Sequence, residues 1–105
     1  MEAKKNDLKD GKAPLHHLRP EHIEGMCSVF EWAEKTKYAP QENGQPNYLL
    51  GLEKKRLLAA ALRHLLAAVS GEEFDSESNE RHTDHVMCNI AMMNGMRKAG
   101  TLKGE

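Results

Sequence analysis

The sequence has few cysteines, few aromatic residues and no apolar run long enough to span a bilayer. The two cysteines, Cys27 and Cys88, each lie in a stretch with helical apolar spacing, and no secretory signal peptide is recognisable. This pattern predicts two buried free thiols in a reducing compartment rather than a disulfide. Because a membrane helix needs roughly 20 consecutive apolar residues, we expect a cytoplasmic protein without a membrane partner.

An excess of one charge is also missing. Lys and Arg number 15 against 16 Asp and Glu, which gives a formal net charge of −1. A nearly neutral chain has no global attraction for a nucleic acid polymer or an anionic membrane, so any anionic ligand must be held by a local site. The sequence also lacks a Walker-type phosphate loop, a Gly-x-Gly-x-x-Gly turn and a Gly-x-Ser-x-Gly elbow, which argues against the enzyme classes built on them.

What is present is the pattern of one small all-α domain. Pro20, followed closely by acidic residues, predicts a helix over 20–37, because proline fits the first turn and carboxylates favour the positive end of the helix dipole. Further helices are predicted over 52–70 and 81–98. A glycine that can end the helix follows each of these two segments.

The segments around the helices complete the expected organisation. We expect residues 1–13, which are charged and poor in apolar side chains, to form a flexible arm, 14–99 the domain and 100–105 a tail. The connection over 38–51 is long, and loops of this length are typically functional or disordered. After Arg56 the second helix is apolar nearly all round, so we expect a three-helix core that self-association completes as a helical bundle, a homodimer or larger.

Two acidic residues on the first helix are candidate metal ligands. Glu31 and Glu34 are three residues apart in the segment EWAE, which places both carboxylates on adjacent turns of one helix face. Oxygen ligands of this kind suit Mg²⁺ or Mn²⁺. The alternative is a solvated acidic face balanced by Lys35 and Lys37.

A polar row on the third helix is a second candidate. His82, His85 and Asn89 are spaced i, i+3 and i+7. Paired imidazoles can bind a transition metal or share a proton. The two histidines could equally be surface residues that pair with Asp84 and Glu80.

Two polar residues interrupt the apolar second helix. Arg63 and His64 stand within the segment LLAAALRHLLAAV. A charge in a buried helix needs a partner, because leaving it unpaired is costly. Arg63 would therefore either pair with Glu31 or Glu34 on the first helix or face a site that binds phosphate or carboxylate.

Four segments, taken in order, resemble one protein family. They are DGKAPLHHLRPEHI over 10–23, FEWAEKTKY over 30–38, NYLLG over 47–51 and AALRHLLAAVSGEEFDSESNERHTDHVMCNIAMM over 60–93. The ordered set resembles the small phage dATP/dGTP diphosphohydrolases, which are grouped with the MazG-like all-α nucleotide pyrophosphohydrolases. The resemblance spans most of the chain and implies a phage protein in the cytosol of an infected cell.

This resemblance also implies an activity and its residues. The activity is hydrolysis of a purine deoxynucleoside triphosphate to the monophosphate and pyrophosphate, with Mg²⁺ or Mn²⁺ as the cofactor. Among the residues carried over by position, His85 or His64 is the candidate for proton transfer. The implied metal ligands are Glu31, Glu34, Asp75 and His82. The implied substrate contacts are Lys37, Tyr38, Asn47, Arg63 and Asn89.

The chain departs from the MazG-like pattern at one point. The second motif of that pattern, a helical Glu-x-x-Asp, is missing from the third helix, where His82 and His85 stand instead. Glu72 and Asp75 have the required spacing but lie in an acidic turn. Two other functions therefore stay open: a protein that binds and sequesters a nucleotide without cleaving it, and a structural or interaction bundle in which Arg63 pairs internally.

Overall fold

Three α-helices form the described part of the protein, residues 11–105, in a computed structural model. They are α1 over Pro20–Thr36, α2 over Lys54–Val69 and α3 over His82–Ala99. Two short 3₁₀ turns, Leu15–His17 and Asn47–Leu50, precede α1 and α2. No strand occurs within residues 11–105, so the expected all-α class is confirmed. Of the expected flexible arm, residues 1–10 lie outside the described range.

The helix ends follow local chemistry. α1 begins with Pro20, whose missing N–H costs nothing in the first turn. α3 is followed by Gly100, which adopts a left-handed φ of 75° that favours glycine. α2 begins two residues later than expected, because Lys103 N–H donates to Leu52 O at 3.0 Å and Lys54 N–H donates to Lys103 O at 2.8 Å. The C-terminal tail is thereby fastened beside the start of α2.

The apolar core lies between α2 and α3. Leu57 from α2 packs with Met93 and Met96 from α3, and Met96 is fully buried. Partly buried side chains close this cluster: Tyr48, Leu49, Met92 and Leu102. Two of these belong to the second 3₁₀ turn, so the connection over 38–51, predicted as a long loop, contributes a short helical turn to the core.

Helical spacing predicts a core-facing row of Val86, Ile90 and Met93 on α3. Met93 is buried, but Val86 is only partly buried and Ile90 is exposed. The buried residues of α3 are His82, His85, Cys88, Asn89, Met93 and Met96. This row is polar near the start of the helix, where α2 places His64 opposite it, and apolar towards the end. The polar half of this row is buried because the polar side chain of His64 on α2 packs against it.

α1 packs across α3 through a close approach at Gly25. A β-carbon at this position would overlap the carboxylate of Asp84, and Val29, one turn later on the same face, is buried. Cys27, which we expected to be buried, is exposed. It is rotated by about 200° from Gly25 around the helix, since one turn takes 3.6 residues. Cys88 is buried, as expected.

α2 is not enclosed on all sides within one chain, although its sequence is apolar nearly all round after Arg56. Only Leu57 and Ala61 are buried. The outward face carries five side chains that are between 42% and 77% exposed: Leu58, Leu62, Leu65, Leu66 and Val69. Arg63, expected to be a buried charge, is exposed and needs no internal partner. Within residues 11–105 no helix is long and apolar enough to cross a membrane.

Candidate functional site

Three histidines from two helices meet where α2 passes the start of α3, and we call His64, His82 and His85 the histidine cluster. His82 and His85 share one face of the first turn of α3 because they are three residues apart. His64 faces them from the middle of α2, with its Nδ1 2.8 Å from Nδ1 of His82. Its ring stacks on that of His85, with centroids 4.2 Å apart and an interplanar angle of 8°.

The acidic turn, residues 72–81, brings a carboxylate to this cluster. Asp75 N–H donates to Glu80 O at 2.8 Å, which closes the turn. The Asp75 side chain is fixed by Ser78, whose N–H donates to Oδ2 at 2.9 Å. The carboxylate lies half-buried, and its Oδ2 is 3.8 Å from Nε2 of His85.

Ser78 links the carboxylate to the histidine cluster through one hydroxyl group. Its Oγ lies 3.0 Å from Asp75 Oδ2 and 2.6 Å from His85 Nε2, and it also accepts Glu80 N–H at 3.1 Å. An ionised carboxylate can only accept, so Ser78 donates its single proton to Asp75. His85 must then donate Nε2–H to Ser78, which leaves Nδ1 of His85 as an acceptor.

His64, Asp75 and His82 form a group that can hold a divalent cation. One ligand atom from each residue lies within 4.8 Å of the other two. The Nδ1 atoms of His64 and His82 face each other, and without a proton or a cation between them their lone pairs would repel. Two imidazoles and one carboxylate are a donor set that suits Mn²⁺ and related transition cations better than Mg²⁺.

The outer nitrogen of His82 supports this fit. His82 Nε2 is buried and has no hydrogen bond, although Glu72 Oε1 lies 3.2 Å away. The oxygen is close enough for a hydrogen bond but lies outside hydrogen-bonding geometry, so a small movement of the exposed Glu72 side chain would form it. Histidines that bind a metal commonly donate their other N–H to a carboxylate.

The pKa values of His64, His85 and Asp75 favour neutral imidazoles beside an ionised carboxylate. Burial lowers the pKa of His64, and the neighbouring His85 lowers it further. Burial also lowers the pKa of His85, with Asp75 opposing it. For Asp75, burial alone would raise the pKa, but the backbone and side-chain hydrogen bonds of Ser78 and the nearby histidines together lower it. Neutral imidazole and ionised carboxylate are the forms that bind cations.

Four of the residues predicted from the sequence are therefore brought together. They are His64, Asp75, His82 and His85. Asn89, predicted to contact substrate, is buried one turn further along α3, where its Nδ2 donates to His85 O at 2.9 Å. This bond holds Asn89 to the helix backbone beneath the cluster.

Two neighbours of the cluster were missed from the sequence. Ser78 lies three residues after Asp75, a spacing typical of a side chain that caps a turn, and this signal could have found it. Trp32 stands edge-on to His85 with ring centroids 5.7 Å apart, and it follows Glu31 directly in the segment EWAE. Lys37, predicted to bind substrate, lies over the Trp32 ring at 5.1 Å and forms an ion pair with Glu77.

The structure does not bring the other predicted residues into the cluster. Glu31 is exposed and pairs with Lys35 at 3.1 Å, and Glu34 is exposed on the same helix. Neither belongs to the cation-binding group formed by described residues. Tyr38 is exposed, Asn47 begins the second 3₁₀ turn and Arg63 is exposed beside His64 in the chain.

One comparison with known proteins gives a match. A family model described as dATP/dGTP diphosphohydrolase, N-terminal, matches residues 2–104. The matched region includes the histidine cluster and the whole acidic turn. No curated protein and no solved structure matches the chain significantly.

Proposed function

Because the chain belongs to the dATP/dGTP diphosphohydrolase N-terminal family, we propose that it hydrolyses a purine deoxynucleoside triphosphate to the monophosphate and pyrophosphate at the histidine cluster. The observation that carries this proposal is the convergence of His64, Asp75 and His82 within 4.8 Å. These residues come from three separate segments, α2, the acidic turn and α3, all inside the region that defines the family.

The cation of this site would be Mn²⁺ or Mg²⁺, held by His64, Asp75 and His82. Such a cation, when bound, polarises phosphate oxygens and activates water for attack. The two Nδ1 atoms already face each other, so both imidazoles can present a lone pair on the same side. Glu72 is placed to accept Nε2–H of His82 and so to hold that imidazole in the required tautomer.

His85 is the proposed proton acceptor. Its lowered pKa keeps it neutral near pH 7, and a general base must be neutral to take a proton from water. Ser78 fixes the proton on Nε2, so Nδ1 is the nitrogen that remains free to accept. Trp32 packs edge-on against this imidazole and limits its movement.

Two cations are available to neutralise the triphosphate. Lys37 lies at the rim of the site, where its ammonium group contacts Glu77 and the Trp32 ring. A triphosphate would compete with Glu77 for this charge.

Arg63 is exposed and forms no ion pair within the described part of the chain, so its guanidinium is free to bind phosphate. The connection that holds Tyr38 and Asn47 would contact the base or sugar.

Product analysis tests the proposed reaction. The full chain is incubated with each of the four deoxynucleoside triphosphates and Mn²⁺ or Mg²⁺, and the products are resolved by ion-exchange chromatography. We expect monophosphate and pyrophosphate from dATP or dGTP. Asp75→Asn and His82→Asn should each reduce turnover by roughly 100-fold or more, because each removes one member of the cation site.

Glu31→Gln is the matched control, since it neutralises an exposed carboxylate that lies outside the cation-binding group and pairs with Lys35. It should retain activity near that of the unmodified chain. If Glu31→Gln abolished turnover while Asp75→Asn retained it, the cation would be held on α1 and the assignment here would be wrong. Recovery of intact nucleotide from a tight complex would identify a sequestering protein instead.

Cation binding can be tested without turnover. Free Mn²⁺ gives an electron paramagnetic resonance signal that is lost when the ion is bound by protein, so titration of the chain with Mn²⁺ measures occupancy directly. We expect saturable binding that Asp75→Asn and His64→Gln weaken by about 10-fold or more, with Glu31→Gln unaffected. Equal binding by all four proteins would place the cation elsewhere.

A further inference from the structure

We propose that the outward face of α2 is the interface of a homodimer in which two copies of α2 pack antiparallel across a two-fold axis. This face, the α2 stripe, consists of Leu58, Leu62, Leu65, Leu66 and Val69. The proposal does not rest on the proposed reaction, and the one residue it shares with the site is Glu72, which enters here only as an acidic group near the end of α2.

The spacing of the α2 stripe is that of a helix pair. Leu58, Leu62, Leu65 and Val69 follow one another at intervals of four, three and four residues, the apolar repeat of two packed helices. The core of the chain lies on a different face of α2, where Leu57 is buried about 100° around the helix from Leu58. The fold of one chain therefore leaves this repeat without a neighbour, and the exposed fractions of its members reach 77%.

The stripe is complementary to itself. In a two-fold interface, residue i of one copy meets residue j of the other, and j meets i. When two α2 helices run antiparallel about the point between Arg63 and His64, Leu58 lies opposite Val69 and Leu62 opposite Leu65 of the second copy. Every member of the four-residue repeat then meets another large apolar side chain, which a second copy of this chain supplies without any further partner.

The distribution of charge along α2 favours antiparallel over parallel packing of the two α2 helices. The first turn of α2 is basic, with residues 54–56 reading Lys-Lys-Arg, and holds no acidic residue. Cations are unfavourable at the positive end of a helix dipole, and neither Lys55 nor Arg56 forms an ion pair within residues 11–105. Two exposed acidic residues, Glu72 and Glu73, follow the other end of α2. Antiparallel packing places each basic end beside the acidic end of the second copy, whereas parallel packing would place like charges together.

Sedimentation velocity of the full chain tests the interface. We expect a dimer at micromolar concentration, and Leu62→Asp should convert it to a monomer because it buries a charge at the centre of the stripe. Leu15→Asp is the matched control, since Leu15 is also large, apolar and exposed but lies before α1. Circular dichroism checks that both variants keep their helices. A monomeric unmodified chain would overturn the proposal, and binding of that monomer to lipid vesicles would assign the stripe to a membrane surface.

Cysteine cross-linking tests the direction. In a Cys27→Ser background, Leu58→Cys and Val69→Cys chains are co-expressed or expressed singly and then mildly oxidised. In an antiparallel pair, residues 58 and 69 of different copies lie side by side, whereas the two residues 58 are about 16.5 Å apart along the axis at 1.5 Å per residue. We expect covalent dimers from the mixture and few from either chain alone. Efficient cross-linking of Leu58→Cys alone would show a parallel pair and overturn the antiparallel arrangement.

Discussion

His64 and His82, which belong to different helices and are 18 residues apart in the chain, bring their Nδ1 atoms within 2.8 Å of each other. Two nitrogens at this distance can share one proton, but a second proton between them would be repelled by the first. Burial is the main cause of the lowered pKa of His64, and the stacked His85 adds to it. The folded protein therefore resists protonation at this point.

We expect the free energy of unfolding of chelator-treated protein to fall as the pH drops below about 6.5, the ordinary pKa of histidine. The pKa values of His64 and His85 are lower in the folded state than in the unfolded chain. Above pH 6.5 these imidazoles are neutral in both states, and the contribution to stability is fully present. In acid the unfolded chain binds more protons, so unfolding becomes more favourable. Urea unfolding near pH 7.5 and pH 5.5 measures the decrease in the free energy of unfolding.

The variant His64→Gln identifies the source of this pH dependence. It removes one of the two imidazoles whose pKa is lowered in the folded state, so its stability should change less between the two pH values than that of the unmodified chain. His16→Gln, which replaces an exposed histidine outside the cluster, is the control and should behave like the unmodified chain. An unchanged pH dependence in His64→Gln would show that the loss arises elsewhere.

Ser78 is expected to set the tautomer of His85. Because Ser78 donates to Asp75, it can only accept from His85, and the proton of the neutral imidazole is held on Nε2. Ser78→Ala removes this acceptor and should shift the tautomer towards Nδ1–H, which the ¹⁵N chemical shifts of the imidazole report. Loss of the hydroxyl should also cost about 1 kcal/mol in the free energy of unfolding.

Ser78→Thr keeps the hydroxyl and should retain both the tautomer and most of the stability. Identical imidazole spectra for Ser78→Ala and the unmodified chain would mean that the Ser78 hydroxyl does not orient His85. The same spectra would remove the reason to place the accepting nitrogen at Nδ1.

Local sequence signals predicted the helices well, because helix ends depend on nearby residues. Pro20 marks the start of α1 and Gly100 follows the end of α3, and both signals act within one turn. The start of α2 was placed two residues too early, since Leu52 is held by a backbone bond to Lys103 at the far end of the chain. No window of local sequence contains that contact.

The sequence predicted several residues of the site but not how they are arranged in space. Helical spacing joined His82 to His85, yet it could not join either to His64, because that contact depends on how α2 crosses α3. Periodicity identifies an apolar face without showing what covers it, and for this reason Arg63 was wrongly predicted to be buried. The predicted role of Glu31 as a metal ligand stays a prediction, which the Gln variant tests.

The two thiols should differ strongly in reactivity. Cys27 is exposed, whereas burial, with a smaller effect of nearby Cys27, raises the pKa of the Cys88 thiol to about 12. Since the thiolate is the reactive form, a chromogenic disulfide reagent should modify one thiol rapidly in the native protein and two in denaturant. Cys27→Ser should abolish the fast reaction. Rapid modification of both thiols without denaturant would contradict the packing of α1 over α3.

Because α1 and α3 approach closely at Gly25, we expect Gly25→Ala to destabilise the protein, whereas the same change at an exposed helical glycine would stabilise it. Replacement of an exposed helical glycine by alanine stabilises a helix by up to about 1 kcal/mol. Here the added β-carbon would overlap the Asp84 carboxylate, and overpacking of this kind costs about 1–3 kcal/mol. Gly25→Ala should therefore lower the free energy of unfolding in the unmodified chain, as urea unfolding would measure.

Asp84→Ala removes the group that the new β-carbon would meet, so it supplies the control background. In that background Gly25→Ala should raise the free energy of unfolding, because only the gain in helix propensity remains. The difference between the two effects is the interaction energy between positions 25 and 84, and it should exceed about 1 kcal/mol. If Gly25→Ala were stabilising by the same amount in both backgrounds, α1 would lie further from the start of α3, and Trp32 would no longer be held against His85.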